Sequence, residues 1–256
     1  MKMLYWNTAL LIFIYFNIVF LIGYFKKDNG IVDVFWGLGF SLVAWFWHIE
    51  APHSHSLLLA ILISLWGLRL AIYIGIRNAR KKTEDWRYAD WRKAWGKWVH
   101  LRAYFQVFIL QGFFMFIIAL PIMQRPATEE LQWFQYLGIL IWLIGLLWES
   151  IADYQLFQFK KKPENKGRIL TKGLWYFSRH PNYFGEALLW WGIFLVVLPW
   201  GLWYLSLIGV LTITLLLRNV SGVPFLEYKY RDNPEYLEYI RSTPALIPAL
   251  WKRSNS

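Results

Sequence analysis

The chain has 256 residues, of which 57% are hydrophobic and 20% aromatic, a composition that belongs with membrane proteins rather than soluble domains. It contains no cysteine, which excludes disulfides, thiolate metal sites and a cysteine nucleophile but says nothing about compartment. The net charge of +11 would suggest nucleic acid in a soluble protein; in a membrane protein it points to an anionic membrane surface and an anionic ligand, with no nucleic acid partner.

Seven apolar runs, at about 4–25, 31–49, 57–76, 104–123, 132–157, 183–198 and 201–217, approach the roughly 17–25 residues needed to cross a bilayer. The first follows Lys2 without a small-residue cleavage site, so it reads as a retained span rather than a signal peptide. The last two are short and separated only by Pro199 and Trp200, as a tight hairpin or one broken helix would be. The predicted fold class is therefore all-α, a multi-pass transmembrane helical bundle of six to seven spans. No Gly/Ser/Pro-rich linker interrupts it, so residues 1–256 are expected to form a single integral membrane domain.

Lysine and arginine predict the orientation. Two follow the first span, nine lie in 77–103, seven in 158–180 and six in 218–253, whereas the opposite side has only Lys2 and Arg125. The positive-inside rule then places the N-terminus outside and the C-terminus in the cytoplasm. Within 77–103, cations alternate with Trp86, Trp91, Trp95 and Trp98, the pattern of an interfacial segment on the headgroups.

A charge inside a bilayer costs about 2.5–3.5 kcal/mol on insertion scales, so those present need partners or a function. Asp33 begins the second span; Arg69 and Tyr73 share a face of the third; Glu149 and Asp153 lie four apart in the fifth. Asn182 and Glu186 do likewise in the sixth, and Arg218 ends the seventh. Interhelical pairs such as Asp33–Arg69 or Glu186–Arg218 would explain any one of them. Their clustering towards one side of the membrane suggests instead a polar cavity. The densest stretch is Gly167–Glu186, GRILTKGLWYFSRHPNYFGE. Pro181 suits a first helical turn, which puts Asn182 and Glu186 on one face beneath a helix N-terminus that favours anions. No paired-histidine spacing occurs, so no metal is expected, and the absence of GxGxxG excludes a soluble Rossmann module.

GLWYFSRHPNYFGE, with FKKKPENKGRI before it and SGVPFLEYKY and YLEYIRSTPALIP after it, resembles the steroid 5-alpha-reductase C-terminal family. VDVFWGLGF, EDWRY and FQVFILQG bring it nearer to that family's bacterial branch. The resemblance extends to sterol reductases and to isoprenylcysteine carboxyl methyltransferases, which share an RHP-x-Y segment. It implies an oxidoreductase that reduces a carbon–carbon double bond of a lipid or steroid-like substrate with NADPH. The cofactor half would be about 132–256, with contacts from Asp153, Lys160, Arg179, Asn182, Tyr183, Glu186 and Arg218 and a covering tail at Tyr236–Pro248. The amino-terminal half departs from the animal enzymes, leaving Asp33, kept protonated by burial, or Tyr73 as the catalytic acid. The alternatives are an S-adenosylmethionine-dependent methyltransferase and a non-catalytic membrane lipid-binding protein.

Overall fold

The computed structural model describes residues 2–81, 83–126 and 130–249, and among these it is all helix, turn and loop. The long helices are α1 (Lys2–Lys26), α2 (Ile31–Glu50), α3 (Ser54–Lys81) and a composite span that opens with α4 (Trp86–Trp95) and α5 (Val99–Ala103) and passes through a π-helical turn into α6 (Leu110–Ile118). They are followed by α7 (Trp133–Lys161), the short α8 (Leu174–Phe177), α9 (Pro181–Val197), α10 (Trp203–Leu215), α11 (Val223–Lys229) and α12 (Pro234–Ser242). Among the described residues, six helical segments are long and apolar enough to cross a membrane. With 17 residues and a rise of about 1.5 Å each, α9 is a shorter seventh helix, about 25 Å long. A turn with Gly201 at φ 101° separates it from α10, so the last two apolar runs are distinct helices.

The chain divides into two compact units, Met1–Glu129 with Pro199–Gly209, and Glu130–Leu198 with Val210–Ser256. In the first, α2 packs on α3 with the backbones in contact: a Cβ on Gly37 would stand 2.6 Å from the Gly67 carbonyl oxygen. Small residues permit such close approach between membrane helices, where dispersion replaces the hydrophobic driving force. The α1 helix ends in a paired turn in which the Lys27 N–H donates to the Tyr24 carbonyl at 3.2 Å and the Asp28 N–H to that of Gly23 at 3.0 Å. This is the Schellman arrangement, which places its C′ residue in the left-handed region and usually selects glycine. Here Lys27 takes that place, at φ 54°.

In the second unit the dominant packing is α7 against α9. Two glycine pairs hold the axes together: a Cβ on Gly145 would lie 2.7 Å from the Gly185 carbonyl oxygen, and one on Gly138 2.8 Å from that of Gly192. Since 138 faces 192 and 145 faces 185, the helices run antiparallel. At the far end the buried Gln135 amide donates to the Val196 carbonyl at 2.7 Å. The near end of this seam is where Glu149, Asp153, Asn182 and Glu186 are located, so tight glycine packing brings the polar residues of two helices together.

Candidate functional site

The loop before α9 is built to enter the helix at a fixed angle. Gly173, at φ 66°, begins it; any side chain there would collide with the Gln155 amide, which instead accepts from the Leu174 N–H at 2.9 Å. Trp175 then anchors to α7 by donating its indole N–H to the Ala152 carbonyl at 3.1 Å. Pro181 occupies the first turn of α9, as expected, and no side chain caps that end. The leading amides therefore point outward as donors for an anion.

Asp153, Asn182 and Glu186 converge on this end. Asp153 and Glu186 are buried, at 3% and 6% exposure. The Asn182 amide donates Nδ2–H to Asp153 Oδ1 at 3.2 Å. A carboxylate oxygen only accepts, so the Asn182 Oδ1 must turn away from it, and that buried oxygen meets no hydrogen-bond donor among the described residues. His180 is 2% exposed. Its ring stacks on Tyr183, with centroids 5.5 Å apart. Its Nε2 is 3.9 Å from Glu227 Oε1, beyond hydrogen-bond reach, and neither ring nitrogen has a partner among the described residues. Burial above all, then the charges of Arg179 and Arg218, pushes this imidazole down to a pKa of about 3. It is thus a neutral ring with one donor and one acceptor to offer. Arg218 is exposed at the end of the last span, and Lys160 lies in the last turn of α7.

Arg179 is placed differently from the phosphate contact expected of it. At 8% exposure, it turns into the carboxyl-terminal segment. Its Nε donates to Glu227 Oε1 at 3.1 Å and its Nη2 bonds the same oxygen, while Nη1 donates to the Ile240 carbonyl at 3.2 Å and to that of Thr243. Four of the five guanidinium N–H groups are thereby engaged. The neighbouring residues hold the same segment: the Arg179 N–H donates to the Pro244 carbonyl at 2.9 Å, Ser178 Oγ to that of Leu246 at 2.8 Å, and the Tyr239 hydroxyl to that of Ser178 at 3.1 Å. The tail is strapped across the RHP segment through α12, where Tyr236 is buried and its hydroxyl pushed up to about 12, by desolvation first and by the Glu227 charge second.

The two catalytic candidates belong to the other unit. Asp33 is held by α4, with Arg87 Nη2 2.6 Å from Oδ2 and the Tyr88 hydroxyl donating to Oδ1 at 2.8 Å. Arg87 also pairs with Asp85 at 3.0 Å, and Asp85 caps α4 by accepting from the Arg87 N–H at 3.2 Å. Both oxygens of Asp33 are therefore engaged by α4, where a free acid facing the substrate was expected. Tyr73 is half-buried on α3 with the Arg69 guanidinium 5.7 Å over its ring.

Residues 19–243 match the protein family described as a protein of unknown function, DUF1295. The chain belongs to this family. An uncharacterised protein of Schizosaccharomyces pombe is 25% identical over 249 residues, covering 80% of this chain and 72% of that one. Two shorter similarities carry named activities. A steroid 5-alpha-reductase of Gossypium hirsutum is 36% identical over 74 residues, covering 28% of this chain and 29% of its own length. A probable O-methyltransferase of Ustilaginoidea virens is 44% identical over 46 residues, covering 18% and 16%. No solved structure matches.

Proposed function

We propose that this integral membrane protein is a reductase that uses NADPH to saturate a carbon–carbon double bond of a lipid or steroid-like substrate. The observation that carries the reading is the incomplete polar cluster at the start of α9. A buried imidazole and a buried amide oxygen without partners among the described residues stand next to an uncapped helix N-terminus and carboxylates on two helices. Unpaired buried groups of this kind cost about 1–3 kcal/mol each, which a bound molecule with matching donors and acceptors offsets. The similarity to a steroid 5-alpha-reductase segment supports NADPH among such molecules.

The donor set fits a dinucleotide. Asn182 Oδ1 suits an amide or hydroxyl donor, Asp153 and Glu186 suit ribose hydroxyls, and the α9 amides with Lys160 and Arg218 suit phosphates. Tyr183 holds the His180 ring in place, and Arg179 fixes the tail that covers the site. NADPH supplies the hydride when bound, and the protein's part is to orient the reactants and exclude water. Of the two catalytic candidates, Asp33 is engaged by Arg87 and Tyr88, and Tyr73 is the proposed hydrogen-bond donor to the substrate. The one-sided distribution of basic residues orients this site towards the cytoplasm.

Binding of NADPH, NADH and S-adenosylmethionine to the detergent-purified chain tests the proposal. NADPH at a hundredfold its Kd should stabilise the protein by about 2.7 kcal/mol. Asn182→Leu should weaken that binding roughly fivefold, the loss of one neutral hydrogen bond worth about 1 kcal/mol; because the substitution also removes the Asp153 donor, the comparison is made on Kd rather than on the stability of the ligand-free protein. Stabilisation by S-adenosylmethionine alone would transfer the site to a methyltransferase, the reading that the O-methyltransferase similarity and the internal commitment of Arg179 favour. Stabilisation by none of the three would remove both.

A further inference from the structure

The first unit carries a second concentration of charge, and its acids and cations are sorted. The acids around the α1–α2 turn are all engaged. Asp33 and Asp85 hold Arg87; Glu84 bonds Arg92 at 2.9 Å and accepts from the Asn29 N–H at 2.8 Å; Asp28 accepts from the Gly30 N–H at 2.8 Å. Arg92 also donates to the Lys27 carbonyl at 3.1 Å, and the Tyr24 and His100 rings meet edge to face at 4.7 Å. These contacts bring the end of α1 beside α4 and α5. What remains on the outside is Lys26, Lys27, Lys93, Lys97 and Arg102, all exposed and without an ion pair among the described residues, together with the exposed acid Asp90 of α4.

Large apolar side chains are interleaved with these cations. Phe25 is 78% exposed, Trp98 54% and Leu101 52%, and Lys97 lies over the Trp98 ring at 5.7 Å. Exposed apolar groups alternating with unpaired cations at the ends of spanning helices fit the boundary between acyl chains and headgroups, where indoles and lysines anchor. Lys27 adds an independent sign. It occupies a left-handed C′ position that glycine would fill without strain, and a strained position at which a charge is kept points to a use for that charge.

We propose that Lys26, Lys27, Lys93, Lys97 and Arg102 form a binding site for the headgroup of an anionic phospholipid, with Phe25, Trp98 and Leu101 inserted among its acyl chains. The acids of the network underneath are each hydrogen-bonded within it, and the outer face is predominantly positive. Asp90 is the one acid a headgroup would have to avoid. This site is separate from the cofactor proposal and does not depend on it.

Native mass spectrometry of the full chain, released from micelles holding equal amounts of phosphatidylglycerol and phosphatidylcholine, tests it. The wild type should retain phosphatidylglycerol in excess. The double variant Lys97→Gln, Arg102→Gln should lose that preference by about 25-fold, roughly fivefold for each cation removed near an anionic surface. Lys27→Gly separates recognition from folding, since it should raise the thermal midpoint by relieving the backbone while lowering phosphatidylglycerol retention roughly fivefold. Equal retention of the two lipids by the wild type would overturn the proposal. So would variants that keep the wild-type preference.

Discussion

Asp33 in one unit and His180 in the other are each held by a residue beside them in space, yet they are satisfied to different degrees. Both oxygens of Asp33 are met, by Arg87 and Tyr88, and the surrounding acids have partners of their own. The His180 nitrogens and Asn182 Oδ1 meet none among the described residues, although His180 is almost wholly buried. Desolvated polar groups are stable only when paired. A complete network therefore reads as a clamp and an incomplete one as a place for a ligand. By that measure the EDWRY segment fastens α4 to α2, and the RHPN segment is the end at which the ligand is proposed to bind.

The largest expected effect is at the junction between these roles. Arg179 belongs to the ligand end by sequence but to a clamp by geometry. Arg179→Ala would leave Glu227 and the Ile240 and Thr243 carbonyls without their donor. Breaking a buried pair costs about 3–5 kcal/mol, and Glu227 is 29% exposed, so about 3 kcal/mol is expected here. The thermal midpoint should fall, and limited proteolysis should open the segment after Lys229. If the midpoint holds and only NADPH binding weakens, Arg179 reads phosphate and its contacts with the tail are incidental.

Asp33→Asn should come next. The substitution keeps one acceptor but removes the charge that Arg87 pairs with, and hydrogen bonds to charged groups are worth about 1.5–3 kcal/mol. With Asp33 and Arg87 partly exposed, at 17% and 23%, a loss of about 2 kcal/mol is expected, with nucleotide affinity unchanged. Unaltered stability with abolished turnover would restore Asp33 to the catalytic role and break the distinction between the clusters.

Much of this was legible in the residues. Hydropathy gave the helices because a spanning segment must be long and apolar, and Pro181 marked the start of α9 because its ring fits only a first turn. Asn182 and Glu186 shared a face by spacing alone. The glycines across the α7–α9 seam bring Asp153 to Asn182, and that contact is tertiary. The partners of Asp33 were not legible: Arg87 and Tyr88 are more than fifty residues away, and Arg69 stood closer in the expected pattern. The role of Arg179 was missed for the same reason. Glu227 sits in PFLEYKY, a stretch noted for its resemblance, but nothing local shows that a glutamate there reaches a loop 48 residues earlier.

The smallest effect is the one that most directly probes the incomplete cluster. The folded-state pKa of His180 is depressed to about 3, against about 6.5 in the unfolded chain. The unfolded state therefore takes up a proton first as pH falls, and the stability contributed by the neutral ring is complete above 6.5 and declines continuously towards 3. Between pH 7.5 and 6 the linkage amounts to about 0.8 kcal/mol. The ring faces Glu227, with Arg179 and Arg218 as the neighbouring charges. Thermal midpoints of wild type and His180→Gln across that interval isolate the term, since glutamine keeps a donor and an acceptor but does not titrate. The wild type should lose stability more steeply than the variant, and a saturating ligand should steepen the difference if it bonds the neutral ring. Parallel curves would mean that His180 is already paired in the folded protein, and the contrast with Asp33 would then vanish.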